Sequence, residues 1–223
     1  MRARGMPDRL SACEAASEIV RITGRGSSRK GFDEYQVLLA LKYMSRGPMG
    51  RPTLERLVGV GEASAKTMLR SLREAGLISR CGAAHCTTDR GAAIADSLQG
   101  LCLAGPGDTG LDGELSKVIV VFATIVEPPT DIVDVHRIRD YLVARSCKPA
   151  VIGAYWPPDI FRFPGVPIDV ERALSESIIR IIKGSPCASS IDNISTVVVA
   201  PATCGTKAGA ALVELIADYC GLH

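Results

Sequence analysis

The sequence predicts an α+β protein of two domains, the first mostly helical and the second a two-layer α/β sandwich with a mostly antiparallel sheet. Three observations predict it. From Phe32 to Leu98, helical periodicities follow one another with a single strand-like pair among them. From residue 115 to 223, strand-length apolar runs alternate with helical stretches. Between the two lies GLCLAGPGDTGLDGE, Gly100 to Glu114, whose five glycines and one proline oppose both helix and strand. The expected organisation is an N-terminal helix and basic arm (1–31), a helical domain (32–99), a linker (100–114) and an α+β domain (115–223).

Composition bounds the function. A hydrophobic content of 47% in 223 residues is enough for real cores and excludes wholesale disorder. No apolar run approaches the roughly 20 residues of a membrane span; the longest, Val118 to Val126, is strand-length. The N-terminal residues lack the apolar block of a signal peptide, so a cytoplasmic location is expected. The eight cysteines are scattered without a Cys-x-x-Cys pair. In a reducing compartment they read as small buried hydrophobes, and neither a metal site nor a cofactor is expected. Net charge is +2, unevenly placed. Residues 1–97 hold 16 Lys and Arg against 10 Asp and Glu, whereas residues 98–223 hold 10 against 14. A basic half joined to an acidic half suggests an anionic partner for the first alone.

Leu10, Cys13, Ala16, Ser17, Ile19 and Val20 mark an amphipathic first helix, free to pack on the body or on a second subunit. GRGSSRKG, Gly24 to Gly31, reads as a flexible basic arm, without the spacing of a phosphate-binding loop. Phe32 to Ser45 is helical and apolar on several faces, hence central, and Gly47-Pro48 end it. Thr53 to Val58 is a short helix. Gly59-Val60-Gly61 is a tight turn. Glu62 to Ala75 is the next helix, with Ala65, Met68, Leu69 and Leu72 inward and Gly76 beyond its C-terminus.

Helix, glycine turn and helix is the order of a helix-turn-helix. The second helix would lie in the major groove of duplex DNA. Its outward polar residues are Glu62, Ser64, Lys66, Thr67 and Arg70, and Arg51 just before the first helix joins them. Leu77 to Cys81 and His85 to Thr88 form a hairpin, a wing with Arg80 and His85 as its contact candidates. Cys81 and Cys86 flank the wing's loop. A redox or metal switch there would alter DNA binding, but with His85 it stays one ligand short of a zinc site. A helix from Asp89 to Leu98 closes the domain.

GEASAKTMLRSLREAGLIS, a hairpin and TTDRG together resemble the winged-helix domains of prokaryotic transcription regulators over about 65 residues. Gly61 stands where many such domains carry a capping serine; glycine is an acceptable N-cap. With Gly50-Arg51, VGEAS at Val60 to Ser64 and FRFPG at Phe161 to Gly165, the whole layout is similar to an archaeal family of winged helix-turn-helix regulators with a C-terminal domain of unknown function 4443. That resemblance implies regulation. It supplies no ligand and no catalytic residue.

In the second half, the segments read in order as a strand (Lys117 to Val126), a helix (Asp131 to Arg145), a hairpin (Ala150 to Trp156 with Ile160 to Phe163), a helix capped by Asp169, a strand (Thr196 to Ala200) and a final helix from Ala208. The helices are expected on one face of the sheet. Four of the ten aromatics, Tyr155, Trp156, Phe161 and Phe163, cluster beside a proline turn and either line an effector pocket or fill a core. In PATCGTKAG, Thr203, Cys204 and Lys207 precede the last helix, where backbone N–H groups suit an anionic effector and a thiol would be activated. Asp134, His136 and Asp140 read as surface polar groups.

The expected function is a DNA-binding transcription regulator. Its winged helix binds double-stranded DNA as a homodimer, and its second domain senses an effector or dimerises. The other readings are an enzyme acting through Cys204 in the second domain, and a protein-interaction adaptor.

Overall fold

The computed structural model describes residues 10–24, 30–123, 132–156, 160–185 and 195–219. The basic arm at 25–29 and the proline turn at 157–159 lie outside them. The chain divides into two compact units, one of residues 1–99 with 216–223 and one of residues 100–215. The tail from Ile216 thus groups with the first unit, not with the second as expected.

In the first unit α1 (Ala12–Thr23) opens with a capping box, Ser11 bonding the Glu14 N–H and Glu14 returning to Ser11. Its apolar side, Ala15, Ala16, Ile19, Val20 and Ile22, is buried. α2 (Glu34–Ser45) carries a second capping box between Asp33 and Gln36. Val37, Leu38, Ala40, Leu41 and Met44 are at most 2% exposed, so this helix is the centre of the unit. The Thr23 hydroxyl donates to the buried Glu34 carboxylate at 2.7 Å.

α3 (Arg51–Val58) begins with Pro52 in its first turn, where a missing N–H costs nothing, and ends at Gly59. Val60 is the one buried residue of the turn. α4 (Glu62–Glu74) buries Ala65, Met68, Leu69 and Leu72. Gly76 follows at φ +71°, and two bonds close the helix end, Gly76 N–H to Arg73 C=O at 3.0 Å and Leu77 N–H to Leu72 C=O at 2.9 Å. This is a Schellman motif. It needs a left-handed residue and folds Leu77 back into the core. The hairpin β1 (Ile78–Cys81) and β2 (Ala84–Thr87) turns through Gly82-Ala83. Met49 exchanges two backbone bonds of 2.9 Å with His85, adding a one-residue third rung. Thr88 caps α5 (Asp89–Ser97).

The second unit is built on a five-stranded sheet of order β3-β4-β7-β5-β6, antiparallel at every pairing. Its strands are β3 (Leu101–Asp108), β4 (Lys117–Ala123), β5 (Val151–Trp156), β6 (Ile160–Arg162) and β7 (Thr196–Pro201). Residues expected in a linker therefore form β3. The proline is tolerated because β3 is an edge strand with a register shift between Ala104 and Gly107, where Gly105-Pro106 sits.

α6 (Ile132–Ala144), α7 (Ile168–Lys183) and α8 (Lys207–Tyr219) as far as Leu215 complete the unit. Leu174, Ile178 and Ile182 of α7 pack with Val118, Val120, Phe122, Val197 and Val199. The alternate residues, Ile119, Val121, Val198 and Ala200, are equally buried. A sheet covered on one face only is thus corrected, since its central strands are buried on both. Their unbroken apolar runs, VIVVFA and TVVVA, fit that environment better than an alternating pattern would. α6 packs on β5, and Arg145 pairs with Glu214 of α8 at 2.8 Å. Pro167, not Asp169, occupies the N-cap of α7; Asp169 lies in the first turn. The edge strand β6 is finished by α7, whose Ser175 and Glu171 accept the N–H groups of Phe161 and Phe163, each at 2.9 Å.

Cysteines expected to be free are bonded. Disulfides join Cys81 to Cys86 and Cys147 to Cys204, and Cys13 and Cys102 are also disulfide-bonded. Spacing could not reveal the Cys147–Cys204 bond, because its two cysteines lie 57 residues apart and meet only through the tertiary path of the chain.

Candidate functional site

The outward side of α4 gathers most of the sequence candidates of the first unit. Lys66 and Arg70 are exposed, and Arg73, which the sequence reading passed over, is exposed three residues further on. The spacing of four and then three puts all three on one row of the helix. None of them has an ion-pair partner among the described residues. Such a row attracts polyanions, because among the described residues no carboxylate pairs with it. Periodicity already contained Arg73: the row that yields Lys66 and Arg70 continues to it.

Other candidates are less open than the sequence suggested. Thr67 turns its hydroxyl to the Ala63 carbonyl at 3.0 Å, a bond within the helix. Ser64 is covered by Gly31, and a Cβ on Gly31 would fall 2.3 Å from the Ser64 Oγ, so only glycine fits there. Glu62 is well exposed but not unpartnered. Arg51 Nη2 meets its Oε1 at 3.0 Å, and Arg51 Nε lies 3.3 Å from Glu55. Arg51 is therefore not an independent cation; it links the starts of α3 and α4.

On the hairpin, Arg80 is exposed and sits opposite His85 in the register. His85 does not act as a cationic contact. Its backbone is occupied by Met49, and its Nδ1 is buried without a hydrogen-bond partner. Burial first, then the charges of Arg80 and Arg73, hold its pKa below the ordinary 6.5, so the ring is neutral near pH 7. Cys81 and Cys86 clamp the hairpin as a disulfide, which removes both as thiolate metal ligands in this state. Among the described residues no group of three or more His, Cys, Asp or Glu is placed to hold a metal ion.

In the second unit the proposed effector residues are not brought together. Phe161 and Phe163 are at most 2% exposed and belong to the α7 core; Tyr155 packs tilted against Phe161, 5.1 Å between ring centroids. These three aromatics fill a core rather than line a pocket. The Trp156 side chain lies outside the described residues. Tyr155 follows Ala154, which pairs with Thr196 at the start of β7, whereas Thr203 follows Pro201 at its end. The five-residue length between them is about 16 Å of strand. Thr203 and Lys207 are exposed, while Cys204 is buried and bonded to Cys147. A disulfide sulfur has no proton to lose, so it is neither an activated nucleophile nor a thiol donor. A shallow depression of about 240 Å³ lies between β6 and α7, but its Glu171 and Ser175 are already spent on β6. His136 and Asp140 are exposed; the Asp134 side chain lies outside the described residues.

No protein-family model matches this sequence, and no curated protein matches it. Among solved structures, the chain is similar to a hypothetical protein from Pyrococcus horikoshii OT3. The match has 21% identity over 83% of this chain and 91% of that one, with a TM-score of 0.51. At that identity the likeness concerns the fold alone, an α+β arrangement with an antiparallel sheet. Among the described residues no helix is long and apolar enough to cross a membrane.

Proposed function

We propose that this protein is a DNA-binding transcription regulator whose residues 32–99 act as a winged helix-turn-helix and whose second unit dimerises or senses an effector. The observation that carries the reading is the row Lys66, Arg70 and Arg73. It is exposed, cationic and, among the described residues, without an ion-pair partner, on the helix that follows a glycine turn. Laid along the major groove, α4 would meet the phosphates on either side. The hairpin, stiffened by its disulfide and carrying Arg80, is the natural wing. Two copies with their α4 helices about 34 Å apart would read one face of the duplex, hence a homodimer. The sequence's resemblance to archaeal winged-helix regulators supports the same reading.

The test is fluorescence anisotropy of the full chain with mixed-sequence duplex DNA over a range of salt concentrations. Affinity should fall linearly in log–log form, and Lys66→Ala with Arg70→Ala and Arg73→Ala should flatten the slope by about 2 to 3. Absence of binding at low salt would overturn the reading and favour a protein-binding adaptor.

A further inference from the structure

We propose that Glu62, held by Arg51, is the residue of this protein that selects a base, and that the base it selects is cytosine. The inference rests on the DNA-binding reading above and adds a specificity to it.

The first two turns of α4 face outward with four side chains able to hydrogen-bond: Glu62, Ser64, Lys66 and Thr67. The structure removes two as readers of base edges. The Thr67 proton is committed to the Ala63 carbonyl, and Gly31 sits against the Ser64 hydroxyl. Lys66 is a flexible point charge suited to phosphate. Glu62 remains, with a side chain 70% exposed at the helix start, the part of a recognition helix that meets base edges. It differs from an ordinary surface glutamate in being tethered. Arg51 holds Oε1 at 3.0 Å, and Arg51 is itself braced on Glu55 at 3.3 Å. The pair engages Oε1, and among the described residues Oε2 meets no hydrogen-bond or ion-pair partner.

A carboxylate only accepts hydrogen bonds. In the major groove its partner is therefore an amino group, and the pairing geometry favours cytosine N4. Guanine presents O6 and N7 there, both acceptors, which repel a carboxylate. An acceptor at this position therefore favours cytosine over guanine. A uniformly basic helix face would bind DNA without this choice. One acidic residue at the head of the cationic row repels every site that offers it no donor.

The experiment is selection from randomised duplexes with the full-length wild type, Glu62→Gln, Arg51→Ala and Lys66→Ala, followed by anisotropy on the enriched duplex and its single-base variants. Glu62 and Arg51 are exposed, so folding is expected to survive each change, checked by circular dichroism. The wild type should enrich cytosine at one position per half-site and lose about 5- to 150-fold in affinity when that base is changed. Glu62→Gln should move the preference to adenine, because glutamine pairs with adenine N6 and N7. Arg51→Ala should weaken the cytosine preference, and Lys66→Ala should lower affinity for all duplexes with the preference intact. The same base preferences in the wild type and Glu62→Gln would overturn this inference while leaving DNA binding standing. Failure of the wild type to retain any duplex would overturn the DNA-binding reading itself.

Discussion

Cys81 and Cys147 both lie in disulfides, but in opposite settings: Cys81 bonds Cys86 five residues away on a half-exposed hairpin, whereas Cys147 is 1% exposed and bonds Cys204 across 57 residues. A cross-link restrains the unfolded chain more as the loop it closes lengthens. The Cys147–Cys204 bond therefore stabilises the fold, and the Cys81–Cys86 bond stiffens one hairpin.

Reduction should follow access. In a graded dithiothreitol series quenched with an alkylating agent, peptide mass mapping should find Cys81 and Cys86 labelled at reductant levels that leave Cys147 and Cys204 intact. Replacing Cys147 and Cys204 by serine should cost about 4 kcal/mol of stability, against about 2 kcal/mol for Cys81 and Cys86, read from denaturant midpoints. Labelling of Cys147 and Cys204 first would contradict the ordering.

Lys42 should make stability depend on alkaline pH. Burial, aided by the Arg46 charge, lowers its pKa from 10.5 to about 8, although its amino group meets the Gln99 carbonyl at 3.4 Å. Below about pH 8 it is protonated whether folded or unfolded, and the folded state bears the full desolvation cost. Between about pH 8 and 10.5 the unfolded chain binds more protons, so this group makes stability rise with pH. Lys42→Met should flatten that rise and raise the neutral-pH melting temperature. Chemical unfolding at pH 7.5, 9 and 10 is the measurement.

His85 should titrate below its ordinary value of 6.5, as followed by proton NMR of the imidazole. Its folded pKa is depressed, so its contribution to stability is complete above about pH 6.5 and is lost as pH falls through the folded value. Arg73→Ala should shift the midpoint upward by removing one of the two neighbouring charges. An unshifted midpoint in wild type would mean that the ring is solvated.

Arg51→Ala should leave thermal stability almost unchanged. Its closer partner Glu62 has a side chain 70% exposed, its contact with the half-buried Glu55 is longer at 3.3 Å, and exposed ion pairs are worth at most about 1 kcal/mol. A melting temperature within a few degrees of wild type, by calorimetry, would separate this residue from the folding of α3 and α4.

By itself the sequence determined what repeats locally. The burial of Val37, Leu41 and Met44, the outward row of Lys66 and Arg70, and the glycine stop at Gly76 follow from helical periodicity and left-handed backbone preference, which act within a few residues. The apolar runs of β4 and β7 likewise carried their burial on both faces, although the reading placed helices on one face alone. Tertiary structure decided everything that depends on which distant segments meet. It placed Leu101–Asp108 at a sheet edge, where a proline and a register shift are tolerated. It set Tyr155 and Thr203 near opposite ends of β7, joined Cys147 to Cys204 and covered Ser64 with Gly31. It also tied Arg51 to Glu62 across a turn. Strand order, register and side-chain pairing are long-range choices among many sterically allowed partners, and no local periodicity distinguishes them.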